Sequence, residues 1–194
     1  VSGGEDYDGY IYVGSTNYDA GTQQGAYLCE TFPEGAKVLY FTGAPNDQQY
    51  IDRKEGLEDA LAENSAIEIL DEYNVENSKD LGMSTAEDCL LSYDDIDAIV
   101  CQSDDAALGV VEALKAAGRL DEIKVLGVDG NDEALASIKA GEMAMTALQD
   151  ARAQAQAGAD IFEQLKNGTE PKDIEDVYIP FQKVTADNVE EYME

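Results

Sequence analysis

Histidine is absent from all 194 residues. With it go the His-dependent catalytic triads, the usual zinc sites and the commonest general base. Cysteine is scarce and poorly spaced for chemistry: Cys29, Cys89 and Cys101 form no C-x-x-C pair and no metal-ligand pattern. The sequence therefore predicts three buried small hydrophobes, two on helices and one in a strand. Basic residues are few, 12 Lys and Arg against 42 Asp and Glu, for a formal net charge of −30. A field of that sign repels phosphate backbones and anionic lipid surfaces, which argues against nucleic acid as a partner; its plain reading is a solvated acidic surface. No apolar run approaches the ~20 residues of a membrane-spanning helix. No charged leader followed by an apolar segment opens the sequence. Neither a Walker sequence nor G-x-G-x-x-G occurs, and the stretch after the first strand, Gly14-Ser15-Thr16-Asn17-Tyr18-Asp19-Ala20-Gly21, has the wrong spacing for a phosphate loop. The expectation is a chain with no cofactor, no metal and no enzymatic role. Ser–Lys or carboxylate-pair chemistry is compatible with the residue types, but no spacing singles it out.

What is present is alternation. Short apolar runs at Tyr10 to Val13, Val38 to Thr42, Ile67 to Leu70, Ala98 to Cys101, Val125 to Val128, Met143 to Ala147 and Val177 to Pro180 read as strands. Between them lie helical patterns near Gly21 to Phe32, Tyr50 to Glu63, Ser84 to Ser92, Asp105 to Ala117, Asp132 to Ala140 and Ala151 to Lys166. Pro33-Glu34-Gly35, Gly118 and Asn167-Gly168 punctuate the helix ends. Strands separated by whole helices predict an α/β fold, a doubly wound and mostly parallel sheet flanked by helices on both faces. At 194 residues the chain can build one large domain or two small ones.

Two of the strands end in the same chemistry. Ala98 to Cys101 runs into Gln102-Ser103-Asp104-Asp105, and Lys124 to Val128 runs into Asp129-Gly130-Asn131-Asp132. The carboxyl edge of an open parallel sheet is where ligands bind, and acids and amides there suit a hydroxyl-rich ligand. Together, Q-S-D-D-A-A-L-G-V-V-E-A-L-K-A-A-G and the following I-K-V-L-G-V-D-G resemble the periplasmic sugar-binding proteins of the ribose and galactose type, which feed ABC importers. Similar signatures occur in the effector domains of LacI-type repressors. The resemblance runs from about Gly9 to Tyr192.

In that family two lobes are joined by three crossing segments, which the resemblance places near Gly14 and Ser15, near Gln149 and Asp150, and at Pro180 to Lys183. It implies four regions: 1–14 as lead-in and first crossing from an N-terminal lobe, 15–149 as the C-terminal ligand-binding lobe, 150–178 as a helix and linker belonging to the N-terminal lobe, and 179–194 as return strand and tail. Most of the N-terminal lobe is then absent, and the chain reads as a fragment, with a naturally short product as the alternative. The helix Ala151 to Lys166 would expose Ala155, Ala159, Phe162 and Leu165, which invites self-association or a swapped arrangement.

The ligand residues follow from position and resemblance together. Asp129, in G-V-D-G, can accept from adjacent hydroxyls, against a helix-capping role that Asn131 could fill. Arg53 begins a helix, where the macrodipole disfavours a cation; the family's R-x-x-G arginine donates to the sugar, against a surface pair with Asp52 or Glu55. Ser103 stands where ribose binders usually carry asparagine, with Asp104 expected to cap the next helix. Gln149 matches a ligand-contacting glutamine in the second crossing. Ser15 and Asn17, in V-G-S-T-N, resemble the first crossing; Ala44 would line the wall. Asn77 lies where relatives often place a stacking aromatic, for which Tyr18, Tyr50 or Tyr73 could compensate. The resemblance implies an extracytoplasmic solute-binding component of an ABC importer, in the periplasm or on the cell surface as a lipoprotein, with a monosaccharide or polyol as ligand and the ABC permease as partner. The C-terminal V-T-A-D-N-V-E-E-Y-M-E favours that branch. The alternative is the effector or sensor domain of a sugar-responsive signalling protein.

Overall fold

The computed structural model describes residues 10–193, so the lead-in expected over the first nine lies outside the described residues. The elements follow in the order β1 (Val13–Gly14), α1 (Asn17–Thr31), β2 (Ala36–Thr42), α2 (Gln48–Leu61), β3 (Ile67–Asn74), α3 (Lys79–Ser92), β4 (Ala98–Cys101), α4 (Asp104–Ala117), β5 (Lys124–Asp129), α5 (Asp132–Lys139), β6 (Met145–Leu148), α6 (Ala151–Lys166), β7 (Val177–Tyr178) and β8 (Gln182–Thr185). Six strands form one sheet in the order β3-β2-β4-β5-β6-β8, parallel throughout except for the antiparallel β6–β8 pair at its edge. β1 and β7 pair separately, in parallel.

Each face of the sheet has its own apolar layer. On one face Val38, Tyr40, Val100, Leu126 and Met145 pack against Leu28 of α1 and Leu57 and Leu61 of α2. On the other, Leu39, Phe41, Ile99 and Val125 pack against α3, α4 and α5 through Ala86, Val110, Leu114 and Ile138. Helices on both faces explain why β4 and β6 are buried at every position, as central strands of a parallel sheet must be. Glycine sets the helix spacing. A Cβ on Gly21 of α1 would lie 1.8 Å from the Arg53 carbonyl oxygen, and one on Gly56 of α2 would lie 2.0 Å from that of Tyr18. The two helices therefore cross with backbone against backbone, a distance that no larger side chain permits.

Capping fixes where most helices begin. Asp47, Ser78, Ser103, Asn131 and Asp150 each accept an amide proton in the first turn of α2 to α6. Several expectations are corrected. The cap of α4 is Ser103, whose Oγ accepts from Ala106 N at 3.3 Å; Asp104 lies inside the helix. β3 continues four residues past Leu70 as an edge strand carrying Asp71 and Glu72. Of the crossing expected at Pro180 to Lys183, Gln182 and Lys183 belong to β8, which lies in the region expected as return strand and tail. The strand read at Tyr10 to Val13 contracts to Val13–Gly14. Cys89 and Cys101 are buried as expected, whereas Cys29 is half-buried.

The last helix is set apart. Of its 16 residues only Ile161 is buried. Ala155 and Ala159 are exposed, as are Leu165 and Phe162, the latter by 69%. α6 is tied to the body by Gln154, which donates to Ser15 Oγ at 3.1 Å. Near it, the rings of Tyr12 and Tyr178 meet at 5.3 Å across the small β1–β7 sheet.

Candidate functional site

The carboxyl ends of β2, β4 and β5 carry a connected set of polar side chains at the point where the strand order reverses around β2. Arg53 is its cation. It is only 5% exposed, and instead of a surface pair with Asp52 or Glu55 it has Nε 3.2 Å from Asn17 Oδ1 and donates Nη1 to the carbonyl oxygen of Gln102. Its guanidinium also lies 5.9 Å from the centre of the Tyr50 ring. Asn17 and Arg53, two predicted residues from different helices, are thus brought together.

Gln102 is the hub that the sequence did not advertise. Fully enclosed, it donates Nε2 to the Tyr40 hydroxyl and to the Tyr50 carbonyl (2.9 Å), and accepts from Gly43 N–H at 3.3 Å. One buried amide therefore ties the ends of β2 and β4 to the first turn of α2, and its own carbonyl receives Arg53. Burial raises the Tyr40 phenol well above its ordinary value, so the hydroxyl stays neutral as an acceptor. Gln24 does similar work beneath the site, donating to the carbonyls of Cys101 (2.8 Å) and Gly127 (3.0 Å).

Asp129 closes the set from β5. Its φ is 121°, in the region that favours glycine. The residue is exposed, yet protein surrounds its carboxylate closely enough for desolvation to push its pKa up to about 6, against the lowering pull of Arg53 and of the Asp104 backbone N–H. Asn131, not Asp129, caps α5, with Oδ1 2.8 Å from Ala134 N. Behind Asp129 sits Asp104, fully buried, accepting from Gly130 N (2.7 Å), Asn131 N (2.9 Å) and Thr146 Oγ1 (2.7 Å). Desolvation first, with a further push from Asp129, raises its pKa to about 7.

The other predicted residues are distributed around this core. Ser15 is buried and accepts from Gln154 of α6. Ser103 is buried and spends its oxygen on the α4 cap, which leaves its proton free to donate. Gln149 is exposed; its backbone N–H donates to the Asp129 carbonyl at 2.9 Å. Its side chain lines a cavity of about 660 Å³ with Gly130, Leu148, Arg152 and Tyr192, and neither Arg53 nor Asp129 lines that space. Ala44 is exposed in the turn before α2. Asn77, left-handed at φ 54°, donates Nδ2 to the Tyr50 hydroxyl, which supports the ring beside Arg53. Of the tyrosines that could supply stacking, Tyr18 binds Asp59 at 2.8 Å and Tyr73 packs edge-on against Phe41, so Tyr50 alone stands at the site. Among the described residues no group of three or more acids or cysteines is placed to hold a metal, and no helix is long and apolar enough to cross a membrane.

Donors and acceptors held at strand ends make an arrangement suited to capture. Comparison with known proteins agrees: the model of the periplasmic binding protein domain matches residues 1–170. The chain belongs to the periplasmic binding protein family. One curated relative in that family, a putative rhizopine-binding protein of Rhizobium meliloti, is 31% identical over 184 residues, covering 93% of this chain and 59% of its own. Among solved periplasmic binding proteins, an ABC transporter solute-binding protein from Bacillus halodurans with bound myo-inositol superposes with a TM-score of 0.85 at 32% identity, covering 94% of this chain and 62% of that one. The myo-inositol-binding protein of Caulobacter, bound to myo-inositol, gives a TM-score of 0.85 at 31% identity, covering 98% of this chain and 64% of that one. The chain spans about three fifths of the length of these relatives.

Proposed function

We propose that this chain supplies the ligand-binding lobe of an extracytoplasmic solute-binding protein that delivers a cyclic polyol or monosaccharide to an ABC importer. One observation carries the reading: a buried guanidinium, Arg53, lies close enough to a strand-end carboxylate, Asp129, to lower its pKa, so a ligand seated between them would meet both charges. Vicinal hydroxyls both accept and donate. The arginine's fixed fork matches their oxygens, and the carboxylate accepts two of their protons in charge-assisted bonds. Asn17 and Ser103 lie beside that pair as further partners, Gln149 would reach the ligand from the adjacent cavity, and binding needs no covalent step. Arg53 is preorganised by Asn17 and Gln102, so little rotamer entropy is lost on capture.

In this reading the opposing wall belongs to an N-terminal lobe, which packs over the exposed apolar face of α6, and the lobes close on the ligand by hinge motion. The relatives that carry bound myo-inositol make that polyol the first candidate. The test is a thermal-shift panel of myo-inositol, D-ribose and xylitol against this chain and against the full gene product. At a hundredfold excess over Kd a ligand adds about 2.7 kcal/mol of stability, so the full product should shift clearly with one panel member while this chain shifts little. No shift in either, across the panel, would refute the sugar or polyol assignment.

A further inference from the structure

Among the described residues Asp104 is the only buried acid, at 0% exposure. Burying a carboxylate is costly, and placing it behind a second carboxylate costs more. Its surroundings are nevertheless built to receive it. Oδ2 accepts the consecutive N–H groups of Gly130 and Asn131, and Oδ1 accepts the Thr146 hydroxyl. Gly127 makes the room, since a Cβ there would lie 2.2 Å from Oδ1. The two amides immediately follow Asp129, whose φ of 121° is strained for any residue with a side chain. In the other direction, the backbone N–H of Asp104 stabilises the Asp129 carboxylate. The N-terminus of α4 thus clasps the end of β5 through two backbone-to-carboxylate bonds.

We propose that Asp104 is the positioning residue of the site: by accepting the N–H groups of Gly130 and Asn131 it fixes the strained backbone of Asp129 and so aims that carboxylate at the ligand. The second half of this statement rests on the ligand role proposed above for Asp129. The titratable groups facing Asp104 are Asp129 on β5 and Cys101 at the end of β4, while Arg53 and Asp105 act on it through Asp129. The clasp survives protonation. A neutral Asp104 still offers Oδ2 to both amides and turns its own proton toward Thr146 Oγ1, with the charge repulsion on Asp129 removed. Asparagine reproduces that neutral geometry, with its oxygen toward the two amides and its NH₂ toward Thr146. Alanine reproduces none of it.

The first test is NMR titration of the ligand-free chain. The Gly130 and Asn131 amide protons should titrate with the Asp104 carboxyl, and that component should vanish in Asp104→Asn, leaving only the titration of the adjacent Asp129. The Asp104 midpoint should rise in Thr146→Val, because the threonine hydroxyl favours the ionised acid. Amides that ignore the Asp104 midpoint overturn the clasp. The second is calorimetric titration of the full gene product with myo-inositol, D-ribose and xylitol. Asp104→Ala leaves three donors, the Gly130 and Asn131 amides and the Thr146 hydroxyl, without their acceptor and should weaken binding about tenfold, with Asp104→Asn recovering to within about threefold of wild type. An Asp104→Ala protein that binds like wild type overturns the positioning role while leaving that of Asp129 intact. If Asp129→Asn is without effect on affinity, the ligand reading fails instead, and the positioning role with it. Should Asp104→Ala not fold, Asp104→Asn and Thr146→Val decide the clasp through the amide titration alone.

Discussion

Two helices of similar length show how differently one chain treats its apolar residues. α4, with 14 residues, buries nine of them; α6, with 16, buries one. α4 lies against the sheet and is stabilised by tertiary packing through Val110, Val111 and Leu114. α6 is held by local means: the Asp150 cap at 2.8 Å, alanine-rich helix propensity, an i,i+4 bond from Gln156 to Asp160 at 2.7 Å, and the tether from Gln154 to Ser15. The difference teaches that the body of this lobe closes its own core, while α6 presents an amphipathic face whose burial needs something outside the described residues.

Substitutions can break that comparison. Leu114→Ala, at a position with 0% exposure, should cost about 2–5 kcal/mol in urea unfolding, whereas Phe162→Ala should fall within about 0.5 kcal/mol of wild type. Equal losses would mean that α6 packs as tightly as α4. Glycines sharpen the contrast and reverse its sign. Gly56→Ala drives a methyl group into the Tyr18 carbonyl and should destabilise by about 1–3 kcal/mol, whereas Gly158→Ala, with nothing within 4 Å of the added Cβ, should stabilise by about 0.4–1 kcal/mol. Both follow from denaturation midpoints at constant slope.

A pH effect comes next. A carboxyl held above its unfolded value keeps a proton that the unfolded chain has released. Asp104 therefore makes stability fall as pH rises from about 4 to about 7, and contributes no further slope above that. Asp104→Asn should unfold at higher urea than wild type at pH 8 and converge with it near pH 4; a difference independent of pH would contradict the assigned environment. The smallest effect is expected at the surface. The Lys37–Asp95 pair at 2.7 Å is solvent-exposed, so Lys37→Ala should leave the unfolding midpoint unchanged within error.

Legibility in the sequence tracked burial pattern. The central strands were readable because burial on both faces makes them continuous apolar runs, as in Ala98–Cys101. The bounds of β8 were not, though the resemblance implied a return strand there, because Gln182-Lys183-Val184-Thr185 is an antiparallel edge strand with one buried residue, close after Pro180. α1 begins at Asn17, four residues before the helical pattern expected near Gly21, and Gly21 serves the close crossing with α2. At the site, Asp129 stood out as a carboxylate closing an apolar strand, and Arg53 as a cation expected to begin a helix, although α2 begins at Gln48 and places it in the second turn. Gln102, Gln24 and Asp104 did not, because a polar residue beside a strand end looks the same in sequence whether it is solvated or wholly enclosed. One signal was available for Asp104: Gly127 interrupts an apolar strand, and the space it leaves holds the Asp104 carboxylate.

The central claim is that Arg53 and Asp129 hold the ligand between them, and calorimetric titration of the full gene product and its Arg53→Met and Asp129→Asn variants with myo-inositol, D-ribose and xylitol tests it most directly. The account predicts one clear binder for the wild-type protein and a loss of about 100-fold or more in each variant, as expected when one partner of a charge-assisted bond is removed and the fold is intact by circular dichroism. Variants that bind the same ligand with wild-type affinity would contradict it.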